Sequence, residues 1–313
     1  MNRKFRRAVV WLAVLALAFS LSGCGSPEAG KEDKPQTSQE TNASFPVTVK
    51  DGTGAEVTVE QEPKRIVSLI PSMTEIAFAL GLGDRVVGVT TNDNYPPEVE
   101  KIEKVGDLNI NVEKVVGLKP DLVLASSMNG ETVEKLRSLG LTVLVSDAQS
   151  LEGVYESIRL AAKATGAGEQ ADRLIAGMEK EKESIVQKVA SIPEEERVKV
   201  WIEIDPTLYT VGGDTFMNEL ITLAGGRNVA SELKGWPQVS AEEVVKWNPD
   251  VILTTYGKAD GSIASRPGWN RITAVKENRI HALDPNVSSR PGPRVIEGLK
   301  EIAKTLYPDL FRQ

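Results

Sequence analysis

Short apolar runs alternate with segments of helical spacing from about residue 45 to the end of the chain. Val47 to Lys50 and Val57 to Glu60 flank Asp51-Gly52-Thr53-Gly54, a pattern that predicts a hairpin. Arg65 to Ile70, Val86 to Thr90, Leu122 to Ala125 and Thr142 to Ser146 read as buried strands. Thr74 to Leu80 starts a helix that Gly81-Leu82-Gly83 stops. Alternation of this kind predicts an α/β fold with largely parallel sheets.

The stretch from Gly168 to Ala190 breaks the rhythm. It is rich in Glu, Lys, Ala and Gln, and it spaces Leu174, Ile175, Met178, Ile185 and Val189 mostly on one helical face. One helix of about 23 residues would be about 35 Å long. Pro193 ends it, and Val198 to Ile204 resumes the strand pattern. The expectation is an N-terminal lobe over residues 45–167, a stiff linking helix over 168–191 and a C-terminal lobe over 192–313. An ordinary surface helix inside one large domain is the alternative.

The halves share a segment. Val105 to Ser126 and Lys234 to Thr255 match at a constant offset with seven identities, among them Glu113/Glu242, Pro120/Pro249 and Asp121/Asp250. Each copy reads as a glycine-led loop, a short helix capped by Asn111 or Ser240, a Pro-Asp turn and a buried strand; Ser240 with Glu243 fits a capping box. The repeat also sorts the tryptophans. Trp247 takes the slot of Leu118 and reads as core, as does Trp201 within its strand. Trp236 stands in the loop before the helix, and Tyr209 ends a strand–loop segment. Loops at the carboxyl edge of an open α/β sheet are where ligands bind, so these two aromatics suggest an apolar face for a flat ligand.

The first 24 residues follow a different rule. Arg3, Lys4, Arg6 and Arg7 precede an apolar run from Ala8 to Leu21 and then Ser22-Gly23-Cys24. That is the layout of a secretory signal over residues 1–23, and a cysteine in the first mature position can carry a thioether-linked lipid. The run is shorter than the about 20 residues a spanning helix needs. Residues 24–44 are nearly all polar and read as a disordered, lipidated tether. Removing the signal leaves 33 basic against 44 acidic residues, a net charge of −11. Such a field disfavours nucleic acid. No second cysteine exists to form an internal disulfide. The single histidine, His281, sits in a strand-like run and is expected to be half-buried there. With no imidazole cluster, no metal site is expected. No Gly-x-Ser-x-Gly elbow or Walker-type loop is present, so no catalytic residue is assigned.

The lipobox, Arg65 to Leu69, Pro71 to Glu75, Asn94-Tyr95-Pro96-Pro97, Leu118 to Val123, Gly235 to Ser240 and Arg290-Pro291-Gly292-Pro293-Arg294 together resemble the substrate-binding proteins of iron-chelate and vitamin B12 ABC importers, most nearly the cobalamin-binding branch. The resemblance implies two Rossmann-like α/β lobes joined by one rigid helix, a monomer without cofactor or catalysis, and a ligand held between the lobes. It implies ligand contacts from Trp236, Tyr209, Arg290 and Asn286. Asn92 stands where the B12 protein has a cleft tyrosine, and Leu108 and Ser126 where it has cleft tryptophans. For a haem carrier, Tyr95 or Tyr256 is the candidate iron ligand; for a ferric siderophore carrier, Arg290 or Arg294 is the candidate contact. Arg294, at the start of the last helix, reads equally as a structural salt bridge. Glu113 and Glu242 match the carboxylates that family members present to the importer. The expected partners are a corrinoid or iron chelate, an ABC permease with its ATPase, and the membrane through the lipid anchor on its extracytoplasmic side. An extracytoplasmic enzyme or sensory module on the same fold is the rival class.

Overall fold

The computed structural model describes residues 44–257 and 261–312. The signal, Cys24 and all but the last residue of the tether lie outside them.

β1 (Val47–Lys50) and β2 (Glu56–Val59) pair antiparallel as the predicted hairpin. Its turn closes on Asp51, whose Oδ1 accepts hydrogen bonds from Thr53 and Ala55 while Oδ2 accepts from Arg137 at 2.6 Å. The first large sheet uses β3 (Ile66–Ser68), β4 (Val86–Val89), β5 (Glu103–Lys104), β6 (Leu122–Ala125) and β7 (Val143–Val145). All are parallel, in the order β5-β4-β3-β6-β7. The second uses β8 (Lys199–Glu203), β9 (Arg227–Asn228), β10 (Val251–Thr254) and β11 (Ile280–Ala282). It too is wholly parallel, in the order β9-β8-β10-β11.

The connections of the first sheet carry α1 (Pro71–Ala79), α2 (Val112–Gly117) and α3 (Gly130–Ser138), and α4 (Leu151–Thr165) follows β7. The helix read as starting at Thr74 in fact starts at Pro71, because proline at the first helical position needs no N–H partner. α5 (Gly168–Val189) is the long helix, 22 residues, lying in the chain between the two sheets. The second half adds α6 (Phe216–Leu223), α7 (Ala241–Trp247), α8 (Thr273–Lys276), α9 (Pro285–Ser288) and α10 (Val295–Leu306).

The repeat is visible as geometry. α2 with β6 and α7 with β10 occupy the matched positions. Asp121 accepts from the backbone N–H groups of Lys64 and Arg65, and Asp250 from that of Lys199, so each matched aspartate pins the start of an inner strand of its sheet, β3 or β8. Lys119 and Asn248, also matched, both turn the chain with positive φ, 48° and 47°.

α5 buries Ala171, Ile175, Met178, Ile185 and Val189. It packs against α4 on one side and α10 on the other. Through it one apolar core runs unbroken from Ile66 and Leu122 of the first sheet, through Ile158 and Met178, to Val200 and Val251 of the second. Each fully buried aliphatic or aromatic side chain of this kind contributes about 1.5–3 kcal/mol. Separating or rotating the halves would open that core and break helical backbone bonds. Solution scattering is therefore expected to give nearly the same radius of gyration with and without a saturating ligand; the contraction typical of hinge-closing proteins would contradict a shared core.

Candidate ligand-binding cleft

In each parallel sheet the loops that follow the strands emerge at one edge, the usual place for a ligand. The two edges meet. Asn94, beyond β4, donates through Nδ2 to Asn286 Oδ1 at 2.9 Å, and Asn286 lies in α9 beyond β11. Arg290 completes the junction: Nη2 donates to Asn286 Oδ1 at 2.9 Å, and Nη1 to Asn94 Oδ1 at 3.1 Å and Glu75 Oε1 at 2.6 Å. Glu75, on α1, is only 3% exposed. It also holds Arg294, with Nε to Oε2 at 3.0 Å and Nη2 to Oε1 at 2.7 Å. One buried carboxylate of the first half thus grips two guanidinium groups of the second. Of the two readings its sequence left open, Arg294 takes the salt bridge, and Arg290 donates to Glu75 and to two amides at the seam.

A second seam lies where α4 begins. Leu151 N–H, one of the free donors of a helix start, binds Glu219 Oε2 on α6 at 2.8 Å. Both seams join residues of the first half to residues of the second.

On the second half the loops are stitched together. The backbone of Tyr209 bridges to Asp205 and to Gln238, and Thr210 N–H binds Pro237 O at 2.9 Å. Trp236 and Tyr209 are therefore brought onto neighbouring strands of one loop pair, 52% and 39% exposed. On the first half, Asn92 is exposed in the same loop as Asn94, and Leu108 is exposed in the loop after β5. Ser126 does not line a wall. It is buried, with its N–H donating to Asn129 Oδ1 at 3.0 Å to cap a short turn. Trp247 is also corrected: it is half-buried and lies against the cluster of Trp201 and Trp269, which are the fully buried pair, edge-on at 5.4 Å.

Both candidate iron-ligating tyrosines have other surroundings. Tyr95 lies under the Arg294 guanidinium at 3.8 Å from its ring centre. It lines a cavity of about 380 Å³ bounded by Phe78, Leu174 and Glu297. This cavity sits among α1, α5 and α10, and neither Trp236 nor Tyr209 lines it. Tyr256, just beyond β10, donates its hydroxyl to Glu203 Oε1. Burial, then the neighbouring carboxylate, push its phenol pKa up, so it stays protonated at neutral pH. Glu203 is fully buried at the end of β8 and is paired with Arg266 at 2.6 and 2.8 Å, and Arg266 in turn lies over Trp269 at 4.6 Å. The Glu203 cluster and the grip of Glu75 on both arginines went unread in the sequence. An acidic residue ending an otherwise apolar strand was the available signal for Glu203; nothing local marks Glu75.

His281 is half-buried in β11, and burial, then Arg279, hold its pKa below the ordinary imidazole value. Glu113 and Glu242 are exposed in the first turns of α2 and α7. The caps beneath them are as predicted. Asn111 Oδ1 accepts from Lys114 N at 3.0 Å, and Ser240 and Glu243 form the reciprocal box at 3.1 and 3.2 Å. Neither exposed carboxylate has an ion-pair partner among the described residues.

The periplasmic binding protein family matches residues 66–287, from β3 into α9. The chain belongs to that family. This binding protein is 48% identical to an uncharacterized ABC transporter substrate-binding lipoprotein of Bacillus subtilis, over 98% of this chain and 99% of the relative. It is 31% identical to a cobalamin-binding protein of Halobacterium salinarum, over 95% of this chain and 84% of the relative. A solved structure from Staphylococcus epidermidis, described as a possible iron-binding periplasmic solute-binding protein, superposes with a TM-score of 0.71 at 36% identity. That superposition covers 79% of this chain and all of the other. This binding protein is thus the substrate-binding component of an ABC transporter, of the iron-chelate and vitamin B12 class, with two α/β lobes.

Glu75→Ala leaves two half-buried guanidinium groups without their buried carboxylate and is expected to cost about 3 kcal/mol, the lower end for breaking a buried pair because both arginines reach some water. Urea unfolding measures it. A loss below half that value would mean the arginines re-pair locally.

Proposed function

We propose that this protein captures a cobalamin-type corrinoid between its lobes and delivers it to a membrane importer. The observation that carries the reading is the chemistry of the seam. Arg290 and Arg294 are already ion-paired with Glu75, and Arg290 also donates to Asn94 and Asn286. Anionic siderophores and haem carboxylates call for free guanidinium groups. A corrinoid carries a fringe of amides and a broad apolar ring; the exposed Asn92 offers an amide in return, and Trp236 and Tyr209 offer exposed aromatic faces. The likeness to a cobalamin-binding protein supports the same choice. An iron chelate is the second reading, favoured by the 42% exposure of Tyr95 and by the relative described as possibly iron-binding.

The anchor follows the same logic: Cys24 carries the lipid, and residues 24–44 tether the lobes to the outer face of the membrane. Residues 45–167 and 192–313 act as the two lobes about the helix.

Titration with cyanocobalamin, haemin and a ferric siderophore, read by tryptophan fluorescence, tests the ligand. Cyanocobalamin is expected to quench Trp236, and Trp236→Ala to weaken binding by about 1–3 kcal/mol. No response to cyanocobalamin alongside a response to haemin or the siderophore would move the assignment to an iron chelate.

Glu113 and Glu242 present one unpaired carboxylate from each half, at matched positions on one rigid body. Two separated charges fix orientation and speed encounter more than they add affinity. The double variant Glu113→Ala with Glu242→Ala is expected to bind ligand normally in solution and to fail in cellular uptake. Normal uptake would remove the docking role, and lost ligand binding would assign the glutamates to the cleft.

A further inference from the structure

The two most exposed large apolar side chains of the described residues are Met128 at 75% and Leu108 at 74%. Both stand at the carboxyl edge of the first sheet, Leu108 after β5 and Met128 after β6. Neither side chain holds its own loop together. The turn of Met128 is fixed on one side by Asn129 Oδ1 on Ser126 N–H. On the other, the Asp147 carboxylate accepts from Ser127 N–H at 2.9 and 3.1 Å. The loop of Leu108 is closed by the Gly106–Ile110 bridge and by Asp107 Oδ1 on Asn109 N–H at 2.7 Å. Polar groups build both loops, so each apolar side chain is left exposed without a packing role in its own loop.

The internal repeat gives each of them a counterpart in the second half. Carried to the second half, Leu108 matches Pro237, beside Trp236, and Met128 matches Gly257, beside Tyr256. The same two loops in each half therefore present the exposed apolar groups: Trp236 and Tyr256 from one, Leu108 and Met128 from the other.

We propose that Met128, with Leu108, forms the ligand wall of the first lobe, opposite the aromatic wall of Trp236, Tyr209 and Tyr256. This rests on the reading of the cleft as a macrocycle site. The two faces of the ligand meet unlike surfaces. Aromatic rings suit a flat conjugated face, whereas a flexible thioether and a branched aliphatic chain mould to a puckered ring fringed with methyl and methylene groups. A corrin has that fringe, so Met128 is a specificity-determining residue for it over a planar porphyrin.

The chain has five methionines, and Met73, Met178 and Met217 are buried. The [methyl-13C]methionine NMR signal of Met128, assigned by its loss in Met128→Leu, reports the wall directly. Saturation with cyanocobalamin is expected to shift or broaden it while the signal of Met178 stays put. Met128→Ala is expected to weaken cyanocobalamin binding about three- to tenfold, and Met128→Leu to stay close to wild type. Quenching of Trp236 by cyanocobalamin with an unmoved Met128 methyl overturns the wall and leaves the corrinoid reading intact. No quenching by cyanocobalamin, but a moved methyl with haemin, overturns the corrinoid reading and keeps the wall.

Discussion

A buried carboxylate needs a partner, and Glu75 obtains both of its partners from the far end of the chain. Arg290 and Arg294 lie 215 and 219 residues away in sequence. Desolvating one carboxylate and two guanidinium groups is costly, and only close, multiply bonded geometry offsets it. The seam is such a geometry, with Asn94 and Asn286 satisfying the donors and acceptors that the ion pairs leave over. The bonds around these groups run in fixed directions, so the seam sets the angle at which the two carboxyl edges face each other. An apolar contact of equal area would permit sliding.

The same requirement recurs on the second lobe. Glu203, sealed under the strand end, binds Arg266 with both oxygens and takes the Tyr256 hydroxyl as well. Arg266 is sandwiched against Trp269, which leans on Trp201. A polar group at the cleft margin is thus locked to the core by a chain of contacts, and the exposed aromatic above it is held still.

Duplication of the helix–turn–strand unit separates frame from tip. Asp121 and Asp250 pin strand starts, and Asn111 and Ser240 cap helices, in matched ways. The loop tips between these fixed points carry different residues in the two lobes: Leu108 beside Asp107 in one, Pro237 beside Trp236 in the other. Changes at the tips leave the frame's hydrogen bonds untouched, so the loop tips of the two lobes are free to differ chemically while the lobes keep one architecture.

Local pattern was enough to read the α/β class, the hairpin on Asp51, most strand positions, the long helix and both repeat caps. Each of these depends on neighbours within a few residues, where periodicity, proline and capping side chains act. Trp247 was misjudged because matching Leu118 marks an apolar slot without telling its depth, and Leu118 itself is only half-buried. The turn in which Asn129 binds Ser126 is not revealed by the strand pattern. The arginines of the last segment could be read as ligand contacts or as ion pairs until Glu75 was brought beside them. Burial depth and charge pairing across more than 200 residues are properties of the packed molecule. They arise only when two lobes, each legible alone, are pressed together on one continuous core.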